Sequence, residues 1–153
     1  MSNYIFLDID GVLTSARLHV ATRKTGVLSA FDPVAVSFLE KLVVKWPAEI
    51  IISSTWRNLF TKDQFNMLFG NSNLANYFHQ VWKTPILGGA RGLDINAWLS
   101  AHGGKEAVYI ILDDNSDFLP EQKHRLVQTD AEEGMLSKHY SRILDMTQLR
   151  NKL

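Results

Sequence analysis

Short apolar runs that end abruptly in polar residues punctuate the chain. Tyr4-Ile5-Phe6-Leu7 stops at Asp8, Glu49-Ile50-Ile51-Ile52 stops at Ser53, and Ala107-Val108-Tyr109-Ile110-Ile111-Leu112 stops at Asp113. Runs of this length, rich in β-branched or aromatic side chains, read as strands buried on both faces. Gln80-Val81-Trp82, ahead of Thr84-Pro85, and Arg125-Leu126-Val127-Gln128-Thr129 give two weaker strands.

Between the strands the pattern takes a helical period. Asp32 followed by Pro33 has the form of an N-cap and a first helical residue. The helix it opens runs to Val43, with Val34, Phe38, Leu42 and Val36, Leu39, Val43 on one broad apolar face. Thr61 to Phe69, stopped by Gly70, makes a second helix. Leu93 to Ala101, with Ile95, Trp98 and Leu99 at helical spacing before Gly103-Gly104, makes a third, and Ser137 to Leu149 a fourth. Continuous apolar strands alternating with amphipathic helices need a parallel sheet covered on both faces, so the expected class is α/β, a three-layer α/β/α Rossmann-like fold with a mainly parallel sheet. At 153 residues the chain suits a single domain, 1–153; the loop from Gly88 to Gly92 is too short to act as an interdomain linker.

Composition removes several kinds of chemistry. The chain has no cysteine, which excludes disulfides, zinc–thiolate sites and thiol nucleophiles. Lys plus Arg, 16, balance Asp plus Glu, 16, so no global basic field exists and a polyanion site must be a local patch. The apolar run near the N-terminus covers four residues before carboxylates follow, unlike a signal peptide, and no stretch approaches the ~18 uncharged residues of a membrane span. The expectation is a cytoplasmic protein without a membrane partner.

In open parallel sheets ligands sit beyond the carboxyl ends of the strands. There the chain places Asp8-Ile9-Asp10-Gly11, Ser53-Ser54-Thr55-Trp56-Arg57 and Asp113-Asp114-Asn115-Ser116-Asp117. If those strands are neighbours, several carboxylates converge on one crevice and need a hard cation between them. Oxygen ligands without cysteine point to Mg²⁺. Asp117 is either a third metal contact or an N-cap, and Trp56 either packs on the core, as most tryptophans do, or stacks on a base. The five histidines fit no metal-ligand spacing.

The run Asp8-Ile9-Asp10-Gly11-Val12-Leu13-Thr14 resembles the first motif of the haloacid dehalogenase (HAD) superfamily. Ser53 at a strand end, the basic Arg91 before a helix and the acid pair Asp113-Asp114 are similar to its other three motifs, in order. More narrowly, SSTWR, TP followed by RG, ILDDNSD and LVQTD followed by EEGML resemble the small capless domains of RNA-repair-type proteins and phages.

That resemblance implies roles. Asp8 would be the nucleophile that forms an aspartyl-phosphate, and Asp10 the general acid and base. Ser53, or Ser54 one residue on, would contact the phosphate. Arg91, with Lys83 and Arg57 as competitors, would neutralise its charge. Asp8, the main-chain carbonyl of Asp10, Asp113 and Asp114 would serve Mg²⁺. Larger relatives insert a cap domain, whereas Thr14 to Ala30 is 17 residues and Trp56 to Thr84 is 29, room for a flap or hairpin and one or two helices. An open crevice suits a phosphate on something large, with Ser54, Arg57 and the loop residues Arg17, Arg23 and Lys24 as candidate substrate contacts. The expected function is a Mg²⁺-dependent phosphomonoester hydrolase acting on a nucleic-acid terminal phosphate or a nucleotide. A small-metabolite phosphatase and a silent phosphate- or Mg²⁺-binding module stay open beside it.

Overall fold

The computed structural model describes residues 2–25, 31–70 and 72–148, the side chains of 23–25 excepted. Five strands, β1 (Asn3–Leu7), β2 (Glu49–Ile52), β3 (Phe78–Lys83), β4 (Val108–Asp113) and β5 (Leu126–Gln128), form one sheet in the order β3-β2-β1-β4-β5. Every pairing is parallel. Parallel neighbours need crossovers. These are α1 (Ala16–Thr25) and α2 (Pro33–Lys45) after β1, α3 (Lys62–Leu68) after β2 and α4 (Arg91–Trp98) after β3, while α5 (Ser137–Met146) follows β5. The expected three-layer α/β class is the one observed.

Alternation along β1 explains why its run is apolar throughout. Ile5 and Leu7 join Ile50, Ile52, Ile110 and Leu112 against Leu39, Leu42 and Val43 of α2 and Ile143 of α5. Tyr4 and Phe6 turn the other way, with Ile51 and Ile111, toward Ile95 and Trp98 of α4. Burying each such side chain is worth about 1.5–3 kcal/mol, so either face holds the strand in register.

Helix α2 begins as its sequence indicates, with the Asp32 carboxylate accepting the Val34 N–H at 2.9 Å. Thr61 and Gln64 close a reciprocal capping box on α3. Helix α4 begins two residues before the expected Leu93 and gives way after Trp98 to a wider π turn, Leu99–Gly103. Ala90 precedes it and supplies no side-chain cap, so the sequence carries no start signal there. Strand β5 is shorter than the expected Arg125–Thr129, and the expected end of the last helix at Leu149 lies outside the described residues.

The segment after β1, long enough for a flap or hairpin, holds the helix α1 over residues 16–25. Ser15 Oγ accepts the Leu18 N–H at 3.1 Å, and the N–H groups of Ala16 and Arg17 donate to the carbonyls of Ala131 and Glu132 at 3.0 and 3.1 Å. A turn from the far end of the chain thus satisfies donors that a helix start leaves orphaned. Among the described residues no helix is long and apolar enough to cross a membrane.

Candidate active site

Register builds the site. Leu7 pairs with Ile52 on one side and Leu112 on the other. The next residues, Ser53, Asp8 and Asp113, therefore emerge side by side at the carboxyl edge of the sheet. Ser53 N–H donates to Leu7 O and Asp8 N–H to Leu112 O, both at 3.0 Å. Neighbouring strands lie roughly 4.8 Å apart, and Asp8, Asp113 and Asp114 each bring one carboxylate oxygen within 4.8 Å of the others.

Alternation sends Asp8, two residues after Phe6, and Asp113, two after Ile111, to the face covered by α4. The first residue of α4 is Arg91, whose Nη1 lies 3.1 Å from Asp8 Oδ1 and 2.6 Å from Asp113 Oδ2. Burial and then the charge of Asp113 push the Asp8 carboxyl up to about 8, in spite of Arg91. Asp113 is raised as well, chiefly by burial. Burial works against the Arg91 charge, but the two carboxylates outweigh it and raise its pKa. One guanidinium does not neutralise three acids. The donor set is all oxygen and Arg91 engages one oxygen of each buried acid, so a small hard cation such as Mg²⁺ fits these residues.

Two glycines let the pieces approach. Gly11 has φ +78°, and a β-carbon there would overlap the Asp114 carboxylate. Thr129 Oγ1 donates to the Gly11 carbonyl at 2.6 Å and ties this loop to the end of β5. A β-carbon on Gly92 would run into the Gln122 side chain, which instead donates to the Gly92 carbonyl at 2.9 Å. That contact docks the first turn of α4, and so Arg91, on the segment after β4.

The remaining candidates separate. Asp10 is exposed and stands outside the three-acid group; its Oδ1 accepts from Thr14 Oγ1 at 3.1 Å and its Oδ2 from Trp56 Nε1 at 3.0 Å. Ser54 Oγ accepts the Trp56 N–H at 3.2 Å, capping the 3₁₀ turn Thr55–Asn58, whereas Ser53 Oγ is buried without a hydrogen-bond partner.

Arg57, expected as a substrate contact and a rival of Arg91, is 3% exposed. Its guanidinium donates to the carbonyls of Ser53, Ser54, Thr84 and Pro85 and pairs with Asp94 at 3.3 Å, so it clasps the ends of β2 and β3 to α4. Lys83, the other rival, is exposed over the Trp82 ring at 5.1 Å. Asp117 is exposed, donates its N–H to Asn115 Oδ1 and lies outside the acid group. Arg17 sits on α1 rather than on a loop, 3.4 Å from Glu133. The backbone of Arg23 and Lys24 continues α1, and their side chains lie outside the described residues. Sequence reasoning passed over Thr14 and the indole N–H of Trp56, which meet on Asp10, and Asp94, which holds Arg57. Thr14 had a signal, as a hydroxyl four residues beyond an acid in a tight loop; the other two had none.

A family model described as the HAD domain in Swiss Army Knife RNA repair proteins matches residues 4–140. No curated protein and no solved structure matches the chain significantly.

Proposed function

The chain belongs to the family of HAD domains in Swiss Army Knife RNA repair proteins, and from that premise we propose that it is a Mg²⁺-dependent phosphomonoester hydrolase working through a phosphorylated Asp8. The observation that carries this reading is the placement of Asp8 beside Asp113 on adjacent strands, with Arg91 touching both and Asp114 within 4.8 Å.

An oxygen of Asp8 attacks phosphorus while the bond to the leaving alcohol breaks and Asp10 gives that alcohol a proton. Water then attacks the acyl-phosphate and Asp10 takes its proton. The Asp8 carboxylate is restored, and the sum is phosphomonoester plus water to alcohol plus phosphate. Arg91 holds Asp8 from the side of α4 and spreads positive charge toward the phosphoryl oxygens, and the free hydroxyl of Ser53 donates to one of them. Mg²⁺, held by Asp8, Asp113 and the Asp10 carbonyl with Asp114 at its margin, would offset the repulsion between carboxylate and phosphate.

The substrate in this reading is a terminal phosphate on a nucleic acid, taken by one domain, 1–153, whose carboxyl edge is left open. The stretch 14–30 holds the helix α1 and the stretch 56–84 holds α3, two 3₁₀ turns and β3, so among the described residues neither stretch supplies a separate cap. Arg17 is exposed at the start of α1, and its surface pair with Glu133 is the kind a phosphate displaces at little cost. With Arg23 and Lys24 it is the proposed backbone contact.

The test is a panel: 3′- and 5′-phosphorylated oligonucleotides, mononucleotides, sugar phosphates and an aryl phosphate, each with Mg²⁺ and with chelator. Highest kcat/KM on an oligonucleotide, abolished by chelator and by Asp8→Asn, is the expected result. Preference for sugar phosphates would give the small-metabolite reading, and no turnover on any member the binding-module reading.

A further inference from the structure

Asp10 lies in an exposed loop, yet each of its carboxylate oxygens has its own donor: the Thr14 hydroxyl on Oδ1 at 3.1 Å and the Trp56 indole N–H on Oδ2 at 3.0 Å. The two donors differ in kind. A hydroxyl rotates and both donates and accepts, whereas an indole N–H only donates. The indole is also immobilised. Its ring stacks on Phe60 at 5.1 Å between centroids with 30° between planes and meets Phe31 at 5.7 Å, while the Trp56 main-chain N–H is held by Ser54 Oγ at 3.2 Å. The ring thus carries a fixed donor from the end of β2 across to the loop after β1.

We propose that Trp56 is a positioning residue for the acid–base group: its N–H and the Thr14 hydroxyl, one on each oxygen, hold the Asp10 carboxyl group in the orientation from which, protonated, it gives its proton to the leaving alcohol. This rests on the reading of Asp10 as the acid–base residue. The same grip keeps the Asp10 side chain out of the group formed by Asp8, Asp113 and Asp114, so that one loop supplies a nucleophile and a proton carrier without the second acid adding its charge to the first. In the step at issue the bond from phosphorus to the ester oxygen breaks, a new bond to Asp8 forms, and the proton passes from Asp10 to the departing oxygen. A sugar hydroxyl is a poor leaving group and needs that proton, whereas a nitrophenolate departs without one. Loss of the grip should therefore show as a changed dependence on the leaving group, which a purely packing role for Trp56 would not produce.

The experiment compares kcat/KM, which reports events through formation of the phosphoenzyme, for an alkyl phosphate and for 4-nitrophenyl phosphate, in the parent, Trp56→Phe, Asp10→Asn and the double variant. Trp56→Phe keeps a ring against Phe60 and removes the N–H. Full general acid catalysis is worth about 10²–10⁴-fold, so partial loss of orientation should raise the aryl-to-alkyl ratio about tenfold or more. In the Asp10→Asn background the same change should leave the ratio unmoved. If Trp56→Phe folds poorly, 3-benzothienylalanine in place of Trp56 keeps the shape and exchanges the N–H for sulfur. A parent whose turnover dies with Asp8→Asn, but whose ratio is unchanged by loss of the N–H, overturns the role of Trp56 and leaves the hydrolase reading standing. A parent without Asp8-dependent turnover overturns the hydrolase reading itself.

Discussion

Gly11 passes so close to Asp114 that a β-carbon on the glycine would overlap the aspartate carboxylate. Its φ of +78° adds a second demand, since side-chain-bearing residues adopt that conformation at a cost of about 1–2 kcal/mol. Gly11→Ala should lower the urea midpoint and, by pushing Asp114 aside, weaken Mg²⁺ binding in calorimetry. Adding Asp114→Gly should recover some of the stability, because it removes the overlap, and none of the metal affinity.

Arg57 should matter to folding more than its place beside the site suggests. Truncating one partner of a buried ion pair strands the other charge and typically costs about 3–5 kcal/mol. Arg57→Ala leaves Asp94 buried and the carbonyls of Ser53, Ser54 and Thr84 without their donor. Denaturant unfolding should show a loss of that order. Arg57→Lys should recover little of it, since an ammonium does not reproduce the guanidinium fork.

The acid cluster makes stability depend on pH with a definite sign. In the metal-free protein Asp8 stands at about 8, against about 3.9 for an unfolded aspartate. Between those values the folded state binds a proton that the unfolded state does not, so the Asp8 contribution to stability is present at the acid end and is lost as pH rises toward 8. Urea unfolding in chelator should show that decline, and Asp8→Asn should flatten it. Binding Mg²⁺ must expel this proton, so apparent affinity should rise with pH up to about 8 and then level off.

Those features differ in how far the chain announces them. The strands ending at Asp8, Ser53 and Asp113 are legible because burial on both faces leaves an unbroken apolar run, and a parallel register then brings the three ends together. Helix α2 is legible because Asp32 and Pro33 are local signals. Helix α1 is not, since the donors of its first turn are met by Ala131 and Glu132, which come from the other end of the chain. The start of α4 is hidden because Ala90 offers no cap. Arg57 reads as a surface cation because a sequence shows its charge and not the four carbonyls and one carboxylate that bury it. The hydrogen bond from Trp56 to Asp10 spans two strand ends and depends on a ring orientation that only packing against Phe60 and Phe31 fixes.

Phosphorylation of Asp8 is read out by trapping. Enzyme mixed with ³²P-labelled phosphomonoester and Mg²⁺ is quenched in acid within milliseconds, and the labelled peptide is mapped. Label is expected on Asp8, chased by unlabelled substrate, absent in Asp8→Asn and accumulated in Asp10→Asn when an aryl phosphate forms the phosphoenzyme, because water then lacks its base. Label on Ser53, or normal turnover in Asp8→Asn with no covalent species at all, would contradict it.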